Sequence, residues 1–345
     1  MKTKLLFIIA CLAFLGFSGK QNQQEALPQR GLLWKITGND LESPSYLFGT
    51  LHRQGGMSIL DSIQSFDSIF TSTNQLICEM DLRNAFKLLL EQNDSKSNSY
   101  LKPWPVTDST YVNLLTDKQK SILDSVINKD ESLRIIKEWN FRPVQAVSFI
   151  KHSYQKNSKN NKFLSKDNSV NDSIRTIILD SYLQQQANKY NMNIVDLDTK
   201  EEYQKLHDSI NNHLPQISYK SEVEFLIYYI QNYPEIASLQ NDYMNKLLTI
   251  YLQQDIALFG LQQKEVKRHN NMIVSFLGND NFIEIQEKML IDERNNFWMK
   301  KIPYLIKDKS SFIAVGAGHL GGESGLINQL RSLNYSVVSM GKTKN

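Results

Sequence analysis

Two apolar runs that each end in a glycine and a histidine constrain the fold of this chain more than any other feature. Near the start, SYLFGTLH ends at His52, and near the end, SFIAVGAGH ends at His319. Short runs of β-branched and aromatic residues predict buried strands, and an amphipathic helical pattern follows the second run. In α/β proteins, ligands bind beyond the carboxyl ends of such strands. The two histidines are therefore expected to meet at one edge of a sheet.

The remaining patterns predict a mixed central sheet surrounded by helices. The runs 32–37 and 45–51 flank a turn with glycine, asparagine and proline and predict a hairpin. Helical spacing predicts a helix over 58–70 and nearly continuous helix over 222–299. The segments QLICEMDL, NIVDLDT and YSVVSM predict further strands, and a helix is expected over 325–333. The predicted fold class is α/β.

The N-terminus predicts export. A positive start, a short apolar stretch and a small-residue cleavage site make residues 1–18 an expected signal peptide. We expect a periplasmic or secreted protein. The segment IIAC also resembles a lipobox, so lipid attachment at Cys11, with contact to a membrane surface, is an alternative. Residues 19–30 read as a flexible lead-in to a single domain, 31–345, which carries a helical insertion at about 85–173.

Cysteine content and charge exclude some classes of protein. Once Cys11 leaves with the signal peptide, Cys78 is alone and no intramolecular disulfide can form. The net charge of +3 gives no support to a nucleic-acid partner. The segment GAGHLG satisfies the G-x-G-x-x-G pattern literally. However, a dinucleotide site also needs an acidic residue about 20 positions on, and only GKTKN follows the next strand. The pattern therefore does not predict a dinucleotide site.

A glutamate adds a third polar group to the two histidines. Glu79 follows Leu76, Ile77 and Cys78 in a segment that reads as a buried strand, where a carboxylate must find a partner. Two histidines and one carboxylate fit a metal site with open positions or an acid/base set. The sequence leaves both alternatives open, together with an internal salt bridge for Glu79.

Arg294 and Asn295 complete the candidate site. Helical spacing places Arg294 on an apolar face beside Phe297 and Trp298. A buried guanidinium needs an anionic partner, which could be Glu79 or a substrate carboxylate or phosphate. The adjacent Asn295 could donate to a developing oxyanion.

These segments together resemble the TraB/GumN family, which includes the Tiki proteases. The resemblance rests on LLWKITGNDLESPSYLFGTLH, CEMDL, IDERNNFWMKKI and FIAVGAGHLGGESGLINQLRSLNYSV, in this order. It implies a fold similar to erythromycin esterase and the haem-binding ChaN proteins. Tiki-type members are described as metal-dependent proteases whose site uses the two Gly-x-x-His motifs and the glutamate. By this resemblance His52, His319 and Glu79 are the metal ligands, and Glu79, Arg294 and Asn295 are catalytic.

The predicted function is that of an exported metal-dependent hydrolase acting on a peptide or on another small amide or ester. The cofactor would be a divalent metal, Mn²⁺, Co²⁺ or Zn²⁺, with Glu79 as third ligand or as general base. One alternative is a non-catalytic protein that binds haem, a small ligand or a peptide in the same pocket. Another is metal-free hydrolysis by histidine and glutamate. The sequence defines neither the metal, the substrate nor the oligomeric state.

Overall fold

The computed structural model describes residues 30–52, 55–81, 115–138, 142–157, 178–213, 217–270, 276 and 280–341. The predicted signal peptide, Cys11 and nearly all of the lead-in 19–30 lie outside the described residues, as do parts of the predicted insertion. Along the described ranges, no helix has the length and apolar character needed to cross a membrane.

A mixed sheet forms the centre of the described structure. Its strands are β1 (Leu33–Thr37), β2 (Ser45–Thr50), β3 (Gln75–Cys78), β4 (Asn193–Asp196), β5 (Ser311–Gly316) and β6 (Ser336–Ser339). The order across the sheet is β4-β3-β5-β2-β1-β6. β4, β3, β5 and β2 are parallel neighbours, and β1 is antiparallel to β2 and to β6. The predicted α/β class and the predicted hairpin of β1 and β2 are confirmed.

The register of the parallel strands aligns their carboxyl ends. Thr50 at the end of β2 pairs with Gly316 at the end of β5. Cys78 at the end of β3 pairs with Asp196 and with Ala314 on its two sides. β2, β3 and β5 are buried along their whole length, as expected for parallel strands covered on both faces. Residues that follow these strand ends therefore meet at one edge of the sheet.

Helices surround this sheet. They are α1 (Phe66–Thr71), α2 (Asp117–Ile127), α3 (Ile135–Glu138), α4 (Pro143–Asn157), α5 (Leu179–Lys189), α6 (Lys200–Asn212), α7 (Tyr219–Leu252), α8 (Ile256–Asn270), α9 (Asp280–Glu287), α10 (Arg294–Trp298), α11 (Ile302–Lys307) and α12 (Leu326–Ser332). The described helices within the range 85–173 pack on the first half of α7, where they form an apolar cluster separate from the core at the sheet.

Two local predictions were wrong. The single helix expected over 58–70 is a 3-10 turn, Gly56–Ser62, followed by α1, because Ser65 takes a left-handed conformation with φ of 61°. The helical spacing instead reflected burial, since Ile59, Ile63 and Phe66 all pack into the core. The strand predicted through Glu79 ends one residue before it.

Candidate functional site

The two histidines and the glutamate meet at the carboxyl edge of the parallel strands. His52 follows β2 by two residues, Glu79 follows β3 directly, and His319 ends a 3-10 turn after β5. His52 Nε2 lies 3.6 Å from Glu79 Oε1, and His319 Nε2 lies 3.8 Å from the same oxygen. Three side chains that are far apart in the sequence thus converge on one point.

The glycine of each Gly-x-x-His motif permits a close approach. A Cβ at Gly49 would lie 2.6 Å from Leu320 Cδ1, so only glycine lets β2 pack against the residues that follow β5. A Cβ at Gly316 would lie 3.1 Å from His52 Nε2 and 3.3 Å from Glu79 Oε1. The φ of Gly316 is −53°, so contact with the site, not backbone conformation, accounts for this glycine.

Glu79 is held by a backbone amide and a guanidinium. Gly316 N donates to Glu79 Oε1 at 2.8 Å, and Arg294 Nη2 donates to Oε2 at 2.6 Å. Burial alone would raise the pKa of this carboxyl. The nearby charge of Arg294, the contact with His52 and the charge of His319 outweigh burial and hold the pKa well below its usual range. Glu79 is therefore a carboxylate at neutral pH.

Arg294 enters the site from a helix whose register is shifted. A π-helical turn, Lys288–Glu293, joins α9 to α10 directly before this residue. Such a turn adds a residue to one helical turn and is frequent at functional sites. The guanidinium lies over the Trp298 ring at 4.4 Å from its centroid, on the apolar face that the sequence predicted. Its Nη1 lies 3.4 Å from His319 Nε2.

Asp198 is a member of the site that the sequence analysis missed. Its Oδ2 accepts from Arg294 Nη2 at 2.6 Å, and its Oδ1 accepts from Trp298 Nε1 at 2.6 Å. Its backbone N–H donates to the carbonyl of Glu79 at 2.9 Å. Arg294 therefore bridges two carboxylates, those of Glu79 and Asp198. Asp198 lies two residues after β4, and a position just beyond a strand end is the signal that identified the two histidines.

Asn295 fixes the ring of His319 and has no donor left for an oxyanion. Its side chain is fully buried, and its Nδ2 donates to the carbonyls of His319 at 3.1 Å and Ser324 at 2.9 Å. Its Oδ1 therefore faces His319 Nδ1, at 2.7 Å, and accepts the hydrogen bond that Nδ1–H donates. The hydrogen bond places the proton on Nδ1 and turns Nε2 toward Glu79. The sequence analysis expected the side chain of Asn295 to donate to an oxyanion; in the structure both of its amide hydrogens bind carbonyl groups.

A second unpredicted carboxylate lies beside His52. Asp180, in the first turn of α5, has its Oδ1 3.8 Å from His52 Nε2, and this oxygen accepts from Thr50 Oγ1 at 2.8 Å. Burial lowers the pKa of His52 and the charge of Arg294 opposes protonation. Even so, the contact with Glu79 and the charges of Asp180 and Glu79 raise that pKa to about 9. The His52 side chain is 55% exposed, so it is the accessible side of the site.

The pKa of Asp180 changes in the opposite direction to that of Glu79. Burial raises it, although the charge of His52 and the hydrogen bond from Thr50 act to lower it. Nothing in the sequence pattern marked this residue, because it belongs to a helix and does not follow a strand. Asp180 comes close to His52 only because α5 packs against the end of β2.

The donor set is chemically suited to a divalent metal. Ligand distances of about 2.0–2.2 Å in a tetrahedral site place neighbouring donor atoms about 3.4 Å apart. The two imidazole nitrogens lie 3.6 and 3.8 Å from Glu79 Oε1, which is close to that spacing. Among the described residues, however, no group of three or more His, Cys, Asp or Glu side chains is placed so that it could hold a metal ion as it stands. Arg294 Nη1, near His319 Nε2, occupies part of the required space.

A hollow in the described structure lies away from this site. A cavity of about 700 Å³ is bounded by the 3-10 turn Gly56–Ser62, by α1 and by Tyr182, and none of its lining residues belongs to the site. The cavity therefore gives no reason to move the candidate site away from the strand ends.

Comparison with known proteins agrees with the sequence motifs. Curated proteins and solved structures gave no match. The family model described as TraB/PrgY/gumN matches residues 32–339, which include both Gly-x-x-His motifs, Glu79, Arg294 and Asn295. The resemblance predicted from those motifs is thereby confirmed, and the chain belongs to the TraB/PrgY/gumN family.

Proposed function

We propose that this protein is an exported metal-dependent hydrolase that acts on a peptide or on another amide or ester. The observation that carries the proposal is the convergence of His52 Nε2 and His319 Nε2 on one oxygen of Glu79, at 3.6 and 3.8 Å. Two imidazoles and a carboxylate are a donor set used by hydrolytic metal centres. A divalent cation bound there would act as a Lewis acid on a substrate carbonyl and would activate water.

His319 is prepared to act as a ligand. Asn295 accepts from Nδ1–H of the imidazole, so Nε2 is the ring nitrogen that faces the interior of the site and that would bind a cation in its deprotonated form. A hydrogen bond on the opposite ring nitrogen is the usual means of orienting a metal-binding histidine. Binding would require Arg294 Nη1 to leave the lone pair of Nε2. The hydrogen bonds of Arg294 to Glu79 and Asp198 do not involve Nη1.

Glu79 fits the role of ligand better than that of general base. A general base works best when its pKa lies near the operating pH. The pKa of Glu79 is held well below its usual range by Arg294 and the two histidines. Glu79 is therefore a weak proton acceptor but a permanent anion, which is what a metal ligand must be.

Metal-free hydrolysis is less well supported by the same geometry. It would need one neutral histidine or the glutamate to accept a proton near pH 7. His52, with its pKa raised to about 9, is protonated there, and Glu79 is a weak base. His319 donates through Nδ1 to Asn295, and its Nε2 faces a guanidinium.

The test is a calorimetric titration of the metal-stripped protein with Mn²⁺, Co²⁺ and Zn²⁺. A double variant, His52→Ala/His319→Ala, is compared with a control double variant, His152→Ala/His213→Ala, which removes two exposed histidines. Circular dichroism checks that both variants fold. We expect one-site binding in the wild type and the control, and its loss in the site variant.

Binding would be followed by a screen for cleavage of peptide, amide and ester substrates with the same cation, with and without a chelator. Equal, weak binding by the wild type and the site variant would refute the metalloenzyme proposal. Haem and peptide ligands would then be titrated, since a binding protein would use the same histidines without turnover.

A further inference from the structure

We propose that the carboxylate of Asp180 is a fourth ligand of the cation at this site. This inference rests on the proposed function, because it concerns the same metal centre. Asp180 Oδ1 lies 3.8 Å from His52 Nε2, and Glu79 Oε1 lies 3.6 Å from the same nitrogen. One imidazole thus contacts two carboxylates from different parts of the chain.

The two oxygens of Asp180 have different environments. Oδ1 accepts from Thr50 Oγ1 at 2.8 Å, which fixes the orientation of the carboxylate. Oδ2 is buried, and within the described part of the chain it has no hydrogen-bond partner. A buried carboxylate oxygen without a donor is costly unless something positive binds to it. The remainder of the side chain is also largely enclosed, with 16% of its surface exposed.

The net charge of the ionisable side chains around the site favours a divalent cation. Glu79 and Asp198 contact the guanidinium of Arg294 directly, and Asp180 joins the same group through His52, so three carboxylates share one guanidinium. With both histidines neutral, as metal ligands must be, two negative charges are left without compensation. A single divalent cation restores neutrality. Without Asp180 in the group the same cation would leave a positive charge.

The orientation of Asp180 also suits a ligand. Thr50 is the last residue of β2, and its hydroxyl holds the carboxylate on the side of the sheet edge where His52 emerges. A ligating carboxylate is usually held in this way by a hydrogen bond to its other oxygen. Thr50 therefore orients Asp180 by a hydrogen bond, as Asn295 orients His319 on the opposite side of the site.

The test compares the metal-stripped wild type with Asp180→Asn, with Asp67→Asn as a control for loss of an exposed carboxylate. Calorimetry with Mn²⁺, Co²⁺ and Zn²⁺ gives the affinity, and the visible absorption of bound Co²⁺ gives the coordination. We expect Asp180→Asn to bind at least about tenfold more weakly and to change the Co²⁺ spectrum. Circular dichroism without metal checks that Asp180→Asn folds.

The outcomes separate this inference from the proposed function. Wild-type affinity and spectrum in Asp180→Asn would overturn the role of Asp180 and leave the metal centre intact. A failure of the wild type to bind any of the three cations would refute both. If Asp180→Asn does not fold, Thr50→Val decides: a lower affinity with a changed Co²⁺ spectrum supports the role of Asp180, and wild-type behaviour refutes it.

Discussion

The substitution Arg294→Gln tests whether this arginine orients Glu79 or binds the substrate. Arg294 is 13% exposed, and its Nη2 donates to Glu79 Oε2 and Asp198 Oδ2, both at 2.6 Å. Replacement by glutamine leaves two largely buried carboxylates without their shared cation. We therefore expect a large loss of stability as well as any loss of activity.

The magnitude follows from the hydrogen bonds that are lost. Each charge-assisted bond contributes about 1.5–3 kcal/mol, so the two short ones together contribute about 3–6 kcal/mol. Breaking a buried ion pair by removing one partner costs about 3–5 kcal/mol. Glu79 keeps its bond from Gly316 N, and Asp198 keeps its bond from Trp298 Nε1. These remaining bonds place the expected loss near the lower end, at about 3 kcal/mol.

Urea denaturation of the metal-free protein measures this loss directly. The control is Arg30→Gln, because Arg30 is 71% exposed and lies 3.6 Å from Asp255. It should change the free energy of unfolding by about 0.5 kcal/mol or less. If Arg294→Gln changed stability no more than this control and raised only KM for an anionic substrate, the orienting role would be refuted and a substrate-binding role supported.

The remaining predictions concern Gly316, Asn295 and His52. Gly316→Ala should keep the free energy of unfolding within about 1 kcal/mol of wild type. It should weaken metal binding in calorimetry, because its Cβ would touch His52 and Glu79, whereas Gly260→Ala, which meets open space, should leave binding unchanged. Asn295→Leu should weaken metal binding about 10–100-fold, because the acceptor for His319 Nδ1 is lost; wild-type affinity would contradict this. Without metal, the stabilising contribution of protonated His52 should be complete below pH 6.5 and should disappear as the pH rises through about 9. Between these two pH values, the melting temperature of His52→Gln should therefore fall less than that of the wild type.

The sequence predicted the elements that build the sheet because strand signals are local. The runs around β1, β2, β5 and β6 are apolar, β-branched or aromatic, and the structure confirms each of them as a strand. The break at Ser65 was not predictable from spacing, because a left-handed serine leaves the apolar periodicity on both sides unchanged. Periodicity reports which side chains are buried, and a helix is only one way to bury them.

The same limit applies to the π-helical turn before Arg294. Apolar spacing correctly placed Trp298 beside Arg294, since the α-helical turn that joins them is regular. The spacing gave no sign of the irregular turn Lys288–Glu293. The contacts of Asn295 with the carbonyls of His319 and Ser324 were equally hidden, because they depend on where α10 lies against the end of β5.

The candidate site follows one rule that covers most of its members. Each of the four parallel neighbours in the order β4-β3-β5-β2 supplies one polar side chain within three residues of its carboxyl end: Asp198, Glu79, His319 and His52. Asp198 could therefore have been found from the sequence by treating NIVDLD as the other strand ends were treated. Asp180 could not, because it lies in the first turn of α5, and only the docking of that helix against Thr50 brings its carboxylate to His52. Strand order decides which side chains can meet, and helix packing decides which further charges join them.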